Sequence, residues 1–136
     1  MYKWLLSLRI LLCLGAIFFF FEFVLHLLGL PILEHDRIFI PTHDRYIALY
    51  ALTYAALLLL SAYQVGKYKP VFFIVMIGIL FGIINATLIS RSGGYEVLFP
   101  TLYLDDKLSG IGVGAVFWYI AVWFVWWRSL YSASSS

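Results

Sequence analysis

Two stretches of this chain, Tyr46 to Gly66 and Val71 to Ser90, contain no charged side chain. Each matches the length of about 20 residues that an α-helix needs to cross the hydrocarbon core of a bilayer. Two further segments are almost as apolar. Trp4 to Leu30 is interrupted only by Arg9, Glu22 and His26, and Leu108 to Trp127 carries no charge. Open strands are excluded in lipid, because their edge N–H and C=O groups would go unpaired. Overall, 64% of the residues are hydrophobic and 12% charged, against about 45–50% and about 25% in soluble domains. A short chain has too little interior to hide that excess, so lipid must take it up.

The expected fold is an all-α integral membrane protein: one domain over 1–136, built as an antiparallel bundle of four transmembrane helices. The helices are placed at about 4–30, 46–66, 70–90 and 108–127, with a polar, mobile tail at 131–136. The link between the second and third is a few residues long, which makes them an antiparallel pair. Met1 to Arg9 is short and basic and precedes an apolar run, as in a signal peptide. No small-x-small cleavage site follows, however, and the run extends to Leu30, so the segment is read as a retained helix. The single cysteine, Cys13, rules out an intramolecular disulfide and a cysteine-only metal site.

Basic residues set the orientation. With the N-terminus inside, the inner segments hold Lys3, Arg9, Lys67, Lys69 and Arg128 and no acid. The two longer outer loops hold Arg37, Arg45, Arg91 and Lys107 together with Glu34, Asp36, Asp44, Glu96, Asp105 and Asp106. Both termini are therefore expected on the cytoplasmic side, and a prokaryotic plasma membrane fits the basic inner segments and the scarcity of cysteine. Trp123, Trp126, Trp127 and Arg128 read as an inner-interface anchor, matched by Lys3 and Trp4. Pro70 suits the first turn of the third helix. Thr42 or Asp44 is the expected N-cap of the second, and Asp105-Asp106 that of the fourth. The formal charge of +2 is too small and too scattered for nucleic acid.

Small residues mark the helix contacts, since packing rather than hydrophobicity holds spans together in lipid. Gly78, Gly82 and Ala86 lie four apart in the third helix. Gly110 and Gly114 lie in the fourth, and Ala51 and Ala55 in the second. These seams serve either contacts within the chain or an interface with another protein. Asn85, beside the first seam, is expected to hydrogen-bond across helices. Tyr46, Tyr50 and Tyr54 form a stripe read as an interfacial belt that passes into packing.

All three histidines and every acid fall toward the outer side. Glu22 and His26 share a helix face. The first outer loop carries His-Asp-Arg twice, at 35–37 and 43–45. One reading is a metal site for Cu or Zn, with Glu22, His26, His35 and His43 as ligands and Asp36 and Asp44 orienting them. A haem or pigment ligand role for His26 is a further alternative. The other reading is an ion-paired cap, in which Asp36 and Asp44 pair with Arg37 or Arg45. Glu22, inside a span, is a functional candidate in its own right, because ionisable groups are costly there. The second outer loop is too apolar between Tyr95 and Leu104 to be freely solvated, so it lies on the membrane, on the first loop or on a partner.

No phosphate-binding loop, HExxH, GxSxG or CxxC motif occurs. Three functions follow as expectations. The first is a non-catalytic accessory or scaffolding subunit of a larger membrane complex, partnered by lipid and by other membrane subunits. The second is a metal- or cofactor-binding protein built on the Glu/His cluster. The third is a small proton-coupled transporter acting as a dimer.

Overall fold

Four helices carry the chain in a computed structural model that describes residues 2–30, 41–91 and 106–134, with side-chain surroundings for 3–30, 41–84 and 113–130. They are α1 (Tyr2–Leu28), α2 (Pro41–Tyr63), α3 (Lys69–Arg91) and α4 (Asp106–Ser134). Three stretches, Lys3–Leu28, Pro41–Tyr63 and Val113–Leu130, are long and apolar enough to cross a membrane. Within α3 the apolar stretch with described side chains, Lys69–Ile84, is shorter. Ile17, Ile74, Phe81 and Phe117 are each about two-thirds exposed. A monomer in water does not tolerate so much contiguous apolar surface, and lipid does. The chain is an all-α helix bundle of the membrane-associated kind.

Local chemistry sets the helix ends. Gly29 takes a left-handed backbone (φ 61°) just after α1. That turn lets the Leu30 N–H donate to the Leu25 carbonyl at 3.0 Å, which closes the helix in a Schellman arrangement. The chain thus stops two residues before Leu30. Proline opens α2, where its missing N–H costs nothing. The helix starts five residues ahead of the expected Tyr46 and takes His43, Asp44 and Arg45 into helical turns. Asp44 is therefore inside the first turn, not at the N-cap. The Lys67 and Tyr68 N–H groups both donate to the Gln64 carbonyl, turning α2 tightly into α3. At the other end α4 runs on to Ser134, through most of the stretch expected to be a polar tail.

Side-chain pairs fix the directions. His26, near the end of α1, meets Asp44 at the start of α2. Trp4, near the start of α1, packs edge-on against Phe124 late in α4. Phe72, early in α3, stacks on Trp126 with ring centroids 4.5 Å apart. Neighbours are antiparallel in every case, and the helices form a closed ring in chain order, with α1 packed most extensively on α2. Both termini and the α2–α3 turn consequently lie at one end of the bundle.

The α1–α2 seam has a period of 3.5 residues. On α2 it reads Asp44, Ala48, Ala51, Ala55, Leu58 and Ala62, continued by Val65 in the turn that follows, all buried. On α1 the matching positions are Leu8, Leu12, Phe19, Glu22 and His26, all buried or half-buried, while Gly15, in the same register, lies under Trp118 of α4. Alternating steps of four and three keep one face of each helix against the other, as in left-handed coiled pairs. The alanines allow close approach, which in lipid is the main source of cohesion. The seam's lower half joins the core through Phe72, Val75, Met76 and Val122. Trp126 belongs to that core and Trp123 packs on it, so these two fill the bundle, and Trp127, about half exposed, points outward. Hydroxyls are satisfied within their own helices: Ser61 is fully buried and donates to the Leu57 carbonyl at 2.8 Å, and Thr53 donates to Leu49 at 2.8 Å.

Candidate functional site: an imidazole between two carboxylates

The upper end of the seam is polar. Glu22 and His26 lie one turn apart on α1, and Asp44 reaches them from α2. His26 Nδ1 is 2.9 Å from Asp44 Oδ1, and its Nε2 is 3.5 Å from Glu22 Oε2. The side chains of His26 and Asp44 are 6% and 8% exposed, and that of Glu22 14%. Glu22 is six residues from the end of α1, which puts it about 9 Å below that end at roughly 1.5 Å per residue. The apolar Leu25, Ala48 and Ala51, all buried, surround the trio along the seam.

The chemistry of this arrangement follows from the ring. A neutral imidazole donates from one nitrogen and accepts at the other, and an imidazolium donates from both. In the neutral form with the proton on Nδ1, Asp44 receives a hydrogen bond and the Nε2 lone pair faces Glu22. In the charged form each nitrogen faces a carboxylate with a proton to offer. The trio is thus a short path along which a proton can pass between two carboxylates inside an apolar helix pair. Asp44 on Nδ1 also orients the ring in the way a carboxylate orients a metal-binding histidine. Among the described residues, however, no group of three or more His, Cys, Asp or Glu side chains could hold a metal ion. Glu22 and His26 offer two donors, and a metal there needs others from outside the described residues.

The remaining site candidates distribute as follows. His43, one residue before Asp44, is exposed, as is Arg45. His35, Asp36 and Arg37 lie outside the described residues, as does the Tyr95 to Leu104 stretch. Asp44 joins His26. Gly78 is half-buried, and a Cβ there would overlap the Tyr54 hydroxyl. The Tyr54 ring in turn stacks on Phe19 at 5.4 Å. Tyr46 and Tyr50 are exposed, so only the last member of the tyrosine stripe enters the packing. Gly82 and Gly114 are exposed, with open space where a Cβ would be. Ala86 and Gly110 sit on α3 and α4 beyond the described side-chain surroundings, as does Asn85.

One contact has no counterpart among the glycines picked from sequence. The Trp118 ring lies directly over Gly15, where a Cβ would overlap it, and its Nε1–H donates to the Leu11 carbonyl at 2.8 Å. The signal was a lone glycine at a seam position of an otherwise bulky helix. No protein-family model, no curated protein and no solved structure matches this chain.

Proposed function

We propose that the chain is a four-span integral membrane protein, with both termini on the cytoplasmic side of a prokaryotic plasma membrane, and that it serves as a non-catalytic accessory or scaffolding subunit of a larger membrane assembly. The fourth span is α3, whose 23 residues reach about 34 Å at roughly 1.5 Å each. Orientation rests on the basic residues gathered at the end that holds the termini. The subunit role rests on one observation, the uneven use of glycine. Gly15 and Gly78 are covered by aromatic side chains from neighbouring helices, whereas Gly82 and Gly114 face outward into open space. A glycine in a helix interior costs about 1 kcal/mol relative to alanine, and lipid offers nothing in return. A second helix does, because a missing side chain lets backbones approach. The two open glycines are also level. Phe73 and Trp123 are ring partners, and Gly82 lies nine residues beyond the first while Gly114 lies nine before the second.

The test is native mass spectrometry of the protein extracted from its own membrane in mild detergent. Wild type is expected to carry foreign subunits. Gly82→Leu combined with Gly114→Leu is expected to shed them while the chain's own melting temperature stays within a few degrees. Retention of every subunit by that variant would remove the basis of the reading.

The Glu22–His26–Asp44 trio favours a second reading, a small proton-coupled carrier that works as a dimer. An ionisable group inside a span marks an ion pathway more often than a structural pair. Here Glu22→Gln is expected to abolish proton-driven uptake in reconstituted vesicles. Undiminished uptake would eliminate the carrier.

A further inference from the structure

Five of the chain's nine basic residues gather at the end of the bundle that holds the termini. Lys3 opens α1, Lys67 and Lys69 flank the α2–α3 turn, and Arg128 lies late in α4, facing the start of α1. Arg9 sits five residues beyond Trp4, about 8 Å deeper at roughly 1.5 Å per residue. All five are exposed. Among the described residues the acids are Glu22, Asp44 and Asp106, and all three are at the opposite end. Among the described residues, then, no acid stands beside these cations. Two are also held in place. The Arg128 guanidinium lies over the Trp4 ring, 5.4 Å from its centroid, and Lys67 Nζ lies 5.4 Å over the Tyr68 ring. Such contacts cost the cation little of its reach and fix it at the level of an aromatic belt. Arg9 has an apolar stem long enough to lift its head toward the same level.

We propose that this end is a binding surface for anionic phospholipid headgroups, with Arg128, Lys67 and Lys69 as its main contacts and Lys3 and Arg9 at its margin. The occupant follows from charge complementarity and depth. Five cations with no described acid beside them, at the aromatic rim of a lipid-exposed bundle, meet headgroup phosphates before any other anion, and guanidinium and ammonium groups both bind phosphate. Each cation near an anionic leaflet contributes about fivefold to the preference. The inference rests on the membrane-spanning reading but not on the subunit role.

The experiment reconstitutes the full chain in nanodiscs of phosphatidylcholine with a minor fraction of phosphatidylglycerol, and counts the lipids that stay bound on native mass analysis. Wild type is expected to retain the anionic lipid well above its share. Lys67→Gln, Lys69→Gln and Arg128→Gln together are expected to lower that enrichment by at least tenfold, and Arg45→Gln, the same kind of charge loss at the other end, to leave it unchanged. The enrichment is expected to fall with added salt and to survive millimolar inorganic phosphate. Enrichment that is absent, that persists in the triple variant or that free phosphate removes overturns the proposal. Failure to insert in either lipid would instead overturn the spanning reading.

Discussion

Replacing His26 by leucine is expected to destabilise the folded chain by about 3–5 kcal/mol, the range seen when one partner is removed from a buried charged cluster. The imidazole is the only described group that stands between Asp44 and Glu22, at 2.9 Å and 3.5 Å. Leucine fills part of the space but donates nothing, so each carboxyl group loses its imidazole contact. Breaking the cluster is costly for what it strands, more than for what the contacts contribute. Two further variants separate these effects. His26→Gln keeps a donor and is expected to lose less than His26→Leu. The triple variant Glu22→Leu, His26→Leu, Asp44→Leu removes every stranded group and is expected to recover most of the stability, because well-packed apolar residues often replace a buried ionic cluster at no net cost. Unfolding by denaturing detergent in mixed micelles, at one fixed lipid-to-detergent ratio, gives the comparison. A loss under about 1 kcal/mol for His26→Leu would mean that water reaches the trio and that it is no buried site. If the triple variant stays folded and yet fails in the cell, the trio's charge serves function rather than the fold.

Much of the architecture was legible because lipid imposes strict rules. Four apolar runs, the proline start at Pro70 and a short basic turn were enough to place four helices to within a few residues at most ends. The exceptions have particular causes. The polar start of α2 hid its first five residues, since His43, Asp44 and Arg45 look like loop until one sees that Asp44 has a buried partner across the seam. The polar letters after Trp127 hid the last turns of α4, because polarity says where a helix leaves lipid and not where it ends. Pairing was less legible than placement. Glu22 and His26 share a face by spacing alone, but Asp44 could be brought to them only by knowing that α1 and α2 pack antiparallel at a 3.5-residue repeat. That repeat was present in the string and masked by its contents, since alanine, glycine and phenylalanine alternate without the uniform leucines of a familiar zipper. The tryptophans misled in the opposite direction. Their place near a basic residue suggested an interface belt, whereas the stacking of Trp126 on Phe72 draws it inside.

The two ends of the bundle are built on different principles, and this bears on where a partner or a proton can act. At the end that holds the termini, α3 and α4 clasp α1 and α2 through Phe72, Trp123 and Trp126, and the core is continuous from Leu8 to Val125. Toward the other end the buried residues narrow to the α1–α2 seam: Leu25, His26, Asp44, Ala48 and Ala51. Among the described residues, α3 contributes no fully buried side chain beyond Ile79 and α4 none before Val122. The ionisable trio and the open glycines lie toward that second end.

The second large effect is expected at Gly15. Gly15→Leu should separate α1 from α4 and cost about 3 kcal/mol, the upper part of the range for overpacking a tight site. The six-membered part of the Trp118 indole occupies the position that even a Cβ would need. The ring cannot swing aside cheaply, because its Nε1–H is committed to the Leu11 carbonyl. That carbonyl also lies four residues before Gly15, where it accepts the helix's own hydrogen bond from the Gly15 N–H. Moving the indole thus loses a second bond to an oxygen that lipid cannot satisfy. Gly15→Ala is expected to be smaller in effect but of the same sign. Trp118→Phe in the Gly15→Ala background should restore part of the loss, since a phenyl ring leaves room that an indole does not, and that rescue would identify the contact as the cause. Gly114→Leu makes the matching control on α4, where nothing lies within reach of a Cβ and the isolated chain should keep its stability. Equal losses at Gly15 and Gly114 would show that the seat under Trp118 is not the cause, since helix propensity favours leucine over glycine at both positions.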